Sequence, residues 1–381
     1  MIYLDNAATS FPKPRTVVEA VMKQLEQVGG NAGRSGHQGG LATSRVLYET
    51  RCLISQLINC SDPLQINFTL NATEALNLAI HGALSTGDHV VTTSMEHNSV
   101  LRPLKEAEEK GVSHTIVWGD REGRVDPAEV EKALRPETRM IILNHCSNVT
   151  GTLQPLKEMV GIAKKHSLLI LIDASQSCGC IPIDVKTLQI DLLAAPGHKA
   201  LLGPQGTGFL YIDKKHKIKT LKQGGTGSRS EDLRQPETIP DYYESGTQNS
   251  HGLAGLKAGV QFVLDQGVDA IHDHERQQVR RLMEGLSVIP RISLYGPPPE
   301  HPRGSVVAFR AAAMDVNQTN YVLDNIYGIS ARSGLHCAPL VHQTLGTFPE
   351  GTIRFSPGIF TTSTEVDATL KAVNEVMKQL S

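Results

Sequence analysis

The chain is 381 residues long, 40% hydrophobic and close to neutral, with 37 Lys and Arg set against 39 Asp and Glu. That length exceeds what one hydrophobic core supports, so two domains are expected, and the balanced charge excludes the one-signed field that would draw in nucleic acid or anionic lipid. Six cysteines are too sparse for a disulfide framework, residues 1–5 show no secretory pattern, and the longest aliphatic run (168–172) is far too short to span a membrane, so a cytoplasmic protein acting on small molecules and other proteins is expected.

Short apolar runs bounded by turn residues alternate with stretches of helical period, the pattern of an α/β chain with a mainly parallel sheet. Strands are expected at 65–68, 89–93, 114–118, 140–144, 168–172, 191–194 and 208–212. Helices are expected between several of them, at 73–84, 98–110, 127–134 and 156–166. The strands show little alternation, as they should when helices cover both faces of a sheet. From 223 to 252 the chain turns rich in Gly, Ser, Thr, Pro and charge with no sustained period, which reads as a long functional loop. Helices near 255–264 and 269–285, a strand near 305–309 and a closing helix at 366–380 follow. These belong to a second, smaller domain.

The chemistry centres on Asp173, which ends the apolar run 168–172, and on Lys199 in the segment APGHKA (195–200). An Asp at the carboxyl end of a buried strand sits where ligands bind in open α/β sheets. Pyridoxal phosphate needs an acidic partner for its ring nitrogen and a lysine for its aldehyde, and this pair suits both tasks. Ala72 and Thr73 open a helix whose positive end would seat a phosphate. Arg354 stands in the apolar stretch 353–355, where an unpaired cation is costly and a carboxylate partner would relieve the cost. Cys337 lies in a small-residue loop beside His336, whose imidazolium form would favour a thiolate. The pair Cys178 and Cys180 has no second pair at ligand spacing, so no metal site is expected. The glycine-rich 203–208 does not lie between a strand and a helix start and is no dinucleotide loop.

Ordered along the chain are YLDNAA (3–8), NAGRSGH (31–37), NATEALN (71–77), EHNSV (96–100), SNVTG (147–151), DASQ (173–176), GHK (197–199), ESGTQN (244–249), RSGLHCA (332–338) and TIRFS (352–356). With these motifs the sequence resembles the class V aminotransferase group, in particular the cysteine desulfurase and selenocysteine lyase family, over nearly its whole length. The resemblance implies the aspartate aminotransferase-like fold type I. Its large cofactor-binding domain would span 15–257, with a mainly parallel seven-stranded sheet, and a smaller α+β domain would join 1–14 to 258–381.

For the site, the resemblance implies pyridoxal 5'-phosphate on Lys199, with Asp173 on the ring nitrogen and His97 against the ring as a proton carrier. Ala72, Thr73 and His198 would hold the phosphate, and Asn148 and Gln176 the phenolic oxygen. Thr247 would serve the phosphate site of the neighbouring subunit in a homodimer. Arg354, with Asn148 and His37, would hold the substrate, and Cys337 would be the persulfide-forming nucleophile. The implied reaction converts L-cysteine to L-alanine and passes the sulfur to an acceptor protein, as in iron–sulfur cluster assembly. The spacing from Arg332 to Cys337 is that of the branch with a short catalytic loop. A selenocysteine lyase using the same residues, and a class V transaminase or C–S lyase that does not use Cys337, remain the alternatives. Pro196 departs from the family pattern, which commonly has Ser or Thr there.

Overall fold

The computed structural model describes residues 1–33, 36–312 and 314–379. Arg34 and Ser35 of the motif at 31–37, and Leu380 at the end of the expected closing helix, lie outside the described residues.

All seven expected strands form, and they form one sheet. Across it the order is Ile66–Thr69, Gly208–Ile212, Leu192–Pro196, Leu169–Asp173, Thr138–Asn144, His89–Thr93 and Ser113–Val117. Gly208–Ile212 runs antiparallel to both its neighbours, and every other adjacent pair among the remaining strands is parallel. Because Ile66–Thr69 is reversed against a reversed strand, it points the same way as the other five. Six strands therefore deliver their carboxyl ends to one edge. The strands Leu169–Asp173 and Leu192–Pro196 are buried at every position, which explains why they lack alternation: helices pack on both sides.

The expected helices appear as Ala72–Ala83, Asn98–Glu109, Pro127–Lys132 and Leu156–Lys165. Two more, Arg15–Gln27 and Gln38–Leu57, were not expected and pack on Ser250–Gln266, the helix that closes the long loop. No regular element lies between Ile212 and Ser250, as the composition of 223–252 suggests.

The later part of the chain forms a separate antiparallel sheet, ordered Arg332–Gly334, Thr352–Phe355, Val307–Ala311 and Ile292–Tyr295. Its core includes Leu282, Phe309, Phe355 and Val373, and also Leu4 from the N-terminus. Ile2–Tyr3 pairs in parallel with Ile329–Ser330, so the chain's start is built into the part formed by its end. No described helix is long and apolar enough to cross a membrane.

Candidate active site

The strand ends at the carboxyl edge and the strands Arg332–Gly334 and Thr352–Phe355 face each other across an open cleft. Asp173, Lys199, His97, Thr73, Asn148 and Arg354 all line it. His198, Gln176 and Ala72 do so as well. Cys337 lies at the mouth, exposed, with Arg332 of the cleft wall donating to its Sγ over 3.6 Å. Thr247 and His37 are not brought to this cleft within one chain. Thr247 is exposed near Glu74 and Lys222, and His37 caps Gln38–Leu57 by accepting from the amide of Gly40 at 3.3 Å.

Lys199 follows the end of Leu192–Pro196 through a turn in which the Gly197 amide donates to Thr207 O and the Gly203 amide to Gly197 O. A Cβ on Gly197 would sit 2.1 Å from Thr207 Oγ1, so any larger residue would have to displace the Thr207 side chain. Burial pushes the Lys199 amine down to about 8, a shift opposed by Asp173 and aided by Arg354 and Arg332. An appreciable fraction is then uncharged near neutral pH, the form that reacts with a carbonyl. Asp173 is almost fully buried and accepts from the Ser175 amide at 2.9 Å.

Ala72–Ala83 is capped by Asn71, whose Oδ1 accepts from the Glu74 amide at 2.9 Å, while Leu70 N donates to Glu74 Oε2 at 2.6 Å. This reciprocal cap leaves the first amides of the helix, Ala72 and Thr73, facing the cleft without an internal partner among the described residues. The Thr73 hydroxyl meets Ser99 Oγ at 2.8 Å, and Ser99 in turn meets His97 Nδ1 at 2.9 Å. Gln176 donates to Ala7 O at 3.0 Å, tying the cleft to the N-terminal segment.

Burial sets the state of two histidines, and for His336 it overturns the expectation of an imidazolium. His97 does not titrate near neutrality: desolvation, opposed by Asp173, takes it to about 4. Its Nδ1 accepts from the Ser99 amide at 3.0 Å, so the neutral ring carries its proton on Nε2. His336 supplies no imidazolium to Cys337. It is 2% exposed, burial drives it well below its ordinary value, and its Nε2 is committed to Thr352 O at 3.1 Å.

Arg354 has the carboxylate partner its apolar setting demands, and that partner is Asp5, at 2.5 Å from Nη2. Nη1 donates to Asn148 O at 3.0 Å, while Nε is buried without a partner among the described residues. The residues that sequence reasoning passed over are Asp5, Ser99 and Arg332. Each stands inside a matched motif, so the signal was present, but their contacts join segments far apart in the chain.

A pyridoxal phosphate molecule has complementary needs at several of these points. The free amides of Ala72 and Thr73 and the buried, unpartnered His198 Nδ1 suit a phosphate, and the unpartnered Asn148 side-chain oxygen and the Asp173 carboxylate face the same cleft. The residues present fit the group.

Residues 2–369 match the family model described as Aminotransferase class-V. The chain is 35% identical over 381 residues to a "Probable cysteine desulfurase" of Methanothermobacter thermautotrophicus, covering 98% of this chain and 94% of that protein. It is 34% identical to a protein of the same description from Pyrococcus abyssi, covering 100% and 95%. Among solved structures, the apo cysteine desulfurase of Thermococcus onnurineus superposes with a TM-score of 0.93 at 32% identity, covering 99% and 95% of the two chains.

Proposed function

The chain belongs to the class V aminotransferase family, among its cysteine desulfurases, and from that premise we propose that it converts L-cysteine to L-alanine and leaves the sulfur on Cys337. The observation that carries this reading is the convergence of Lys199, Asp173, His97 and Arg354 on one cleft with Cys337 at its mouth. When bound, pyridoxal 5'-phosphate supplies an electron sink for the charge that develops at the substrate's Cα.

Asp173 would hold the ring nitrogen and keep it protonated. Ala72, Thr73 and His198 would hold the phosphate, Asn148 and Gln176 the phenolic oxygen, and His97 would meet the ring as a neutral imidazole. Arg354, with Asn148 and His37, orients the amino acid. The uncharged Lys199 amine takes the Cα proton. The Cys337 thiolate then attacks the substrate sulfur: an S–S bond forms, the Cβ–S bond breaks with its electron pair passing to the substrate carbon, and protonation at carbon gives alanine. Cys337 is left as a persulfide, within reach of a sulfur-acceptor protein because it is exposed.

We place residues 15–257 in a large domain and 1–14 with 258–381 in a small one, assign the protein to the cytoplasm, and infer a homodimer in which Thr247 and His37 complete the partner's site. Their distance from the cleft of their own chain supports this sharing. A monomer with full activity, seen by light scattering, overturns it.

The test of the reaction is turnover of L-cysteine and L-selenocysteine side by side, with alanine and pyruvate measured and the Cys337 peptide weighed. Alanine and one added sulfur on that peptide are expected from L-cysteine. A keto acid in place of alanine, or no added sulfur during turnover, overturns the assignment in favour of a transaminase or C–S lyase.

A further inference from the structure

Arg332 has no part in the roles assigned so far. It is half-buried on the cleft wall, and among the described residues it has no carboxylate partner. Its hydrogen bond runs to Cys337 Sγ, at 3.6 Å. Directly opposite in the antiparallel register stands Arg354, another cation, whose charge is met by Asp5. Two like charges placed opposite each other are unfavourable unless anions accompany both. Arg354 has its anion, and the group Arg332 is aimed at is a sulfur.

The loop around that sulfur is anchored by its backbone. His336 and Cys337 both adopt left-handed conformations, with φ of 49° and 59°, which residues with a Cβ adopt at a cost. Asn148 Nδ2 donates to His336 O at 2.8 Å, the Asn98 amide to Cys337 O at 2.8 Å and the Ala338 amide to Leu335 O at 2.9 Å. These three bonds fix where the Cys337 backbone is. They leave its side chain free to turn, and Arg332 is the group that catches it.

We propose that Arg332 is the positioning residue of the sulfur nucleophile, its guanidinium holding Cys337 Sγ at the mouth of the cleft and stabilising the negative charge the sulfur carries when it attacks. The guanidinium undergoes no covalent change: the thiol proton goes to solvent, the new S–S bond is made by Cys337, and the Cβ–S bond broken is the substrate's. Geometry adds to charge here, because a planar fork directs its N–H groups where a lysine ammonium would not.

The inference rests on Cys337 being the nucleophile, and the experiment is chosen to separate the two. Cofactor-free protein is treated with iodoacetamide at pH 7 and the rate of labelling of the Cys337 peptide is followed by mass spectrometry. Arg332→Gln should slow that labelling about sevenfold, the size expected of a unit charge acting over 3.6 Å in a water-like dielectric. Arg332→Lys, which keeps the charge, should recover at least half of the loss. In turnover of L-cysteine by the loaded enzyme, Arg332→Gln should lower kcat and leave KM unchanged. Equal labelling rates in wild type and Arg332→Gln, with matching circular dichroism, or no recovery in Arg332→Lys, overturns the role of Arg332. Since labelling needs neither cofactor nor substrate, that result leaves the desulfurase reading untouched, which falls instead if wild-type turnover adds no sulfur to Cys337.

Discussion

Lys199 and Cys337 face the same cleft from supports of different kind. Lys199 follows a strand buried at every position, in a turn where Gly197 packs tightly against Thr207, and its amine is pushed to about 8 by burial. Cys337 follows a short edge strand on a loop with two left-handed residues, and it is exposed. The first arrangement partly desolvates an amine that lines the cleft, so that a fraction of it stays uncharged; the second keeps a thiol accessible and relies on backbone anchors and a guanidinium for order. On the proposed reaction, a residue that returns to its starting state within one chain can be desolvated, whereas one that hands a sulfur atom to another protein has to stay exposed.

That contrast is most sharply tested by replacing each residue with alanine. Lys199→Ala should lower alanine release from L-cysteine by about 10^3-fold or more, the scale of a lost general base, and borohydride should no longer fix the cofactor to the chain. Cys337→Ala should also lose desulfuration of L-cysteine, yet keep the cofactor and its spectrum, and retain some turnover of L-selenocysteine because a selenolate leaves more readily. If Cys337→Ala desulfurates L-cysteine at the wild-type rate, the two ends of the cleft are not partners in one reaction.

Next in size is Arg354→Ala. Removing one member of a buried ion pair costs about 2–5 kcal/mol, so the KM for L-cysteine should rise by roughly 30-fold or more if the guanidinium also binds the substrate carboxylate. An unchanged KM in a folded variant would reduce Arg354 to the structural partner of Asp5.

The smallest effect concerns acid. His145, on the sheet side, and His342, beneath the Cys337 loop, are buried and held at about 4 by desolvation. The unfolded chain takes up these protons near 6.5, so between about 6.5 and about 4 it binds more protons than the native state and stability falls as pH falls. The native advantage is complete above 6.5, and at pH 5 the loss is on the order of 2 kcal/mol for each histidine. The Tm should drop between pH 7 and pH 5, and His342→Gln should flatten that slope. A slope unaltered by the substitution would show that the loop end does not contribute to acid sensitivity.

The strands of the large sheet were legible because each is a short apolar run between turn residues, and a buried parallel sheet leaves no stronger signature. Their order was not, since pairing joins segments such as Ile66–Thr69 and Gly208–Ile212 that no local pattern relates. Helix Gln38–Leu57 escaped notice because it opens with Gly39 and Gly40, which argue against a helix when read locally. Within the site, Lys199, Asp173 and Arg354 stood out by type and setting. The Asp5 partner of Arg354 and the Arg332 contact to Cys337 needed the fold. The charge of His336 was misread because adjacency in sequence says nothing about whether a ring faces water.

The ion pair between Asp5 and Arg354 joins residues 349 positions apart. A chain emerging from a ribosome at roughly 5–20 residues per second exposes its amino-terminal strand on the order of tens of seconds before the partner of that strand exists. The seven-stranded sheet can assemble in the interval, but the wall that carries Arg354 cannot close. The cleft therefore cannot be completed until Arg354 has emerged, and a chain that stopped short of it would carry Lys199 without the arginine that faces it.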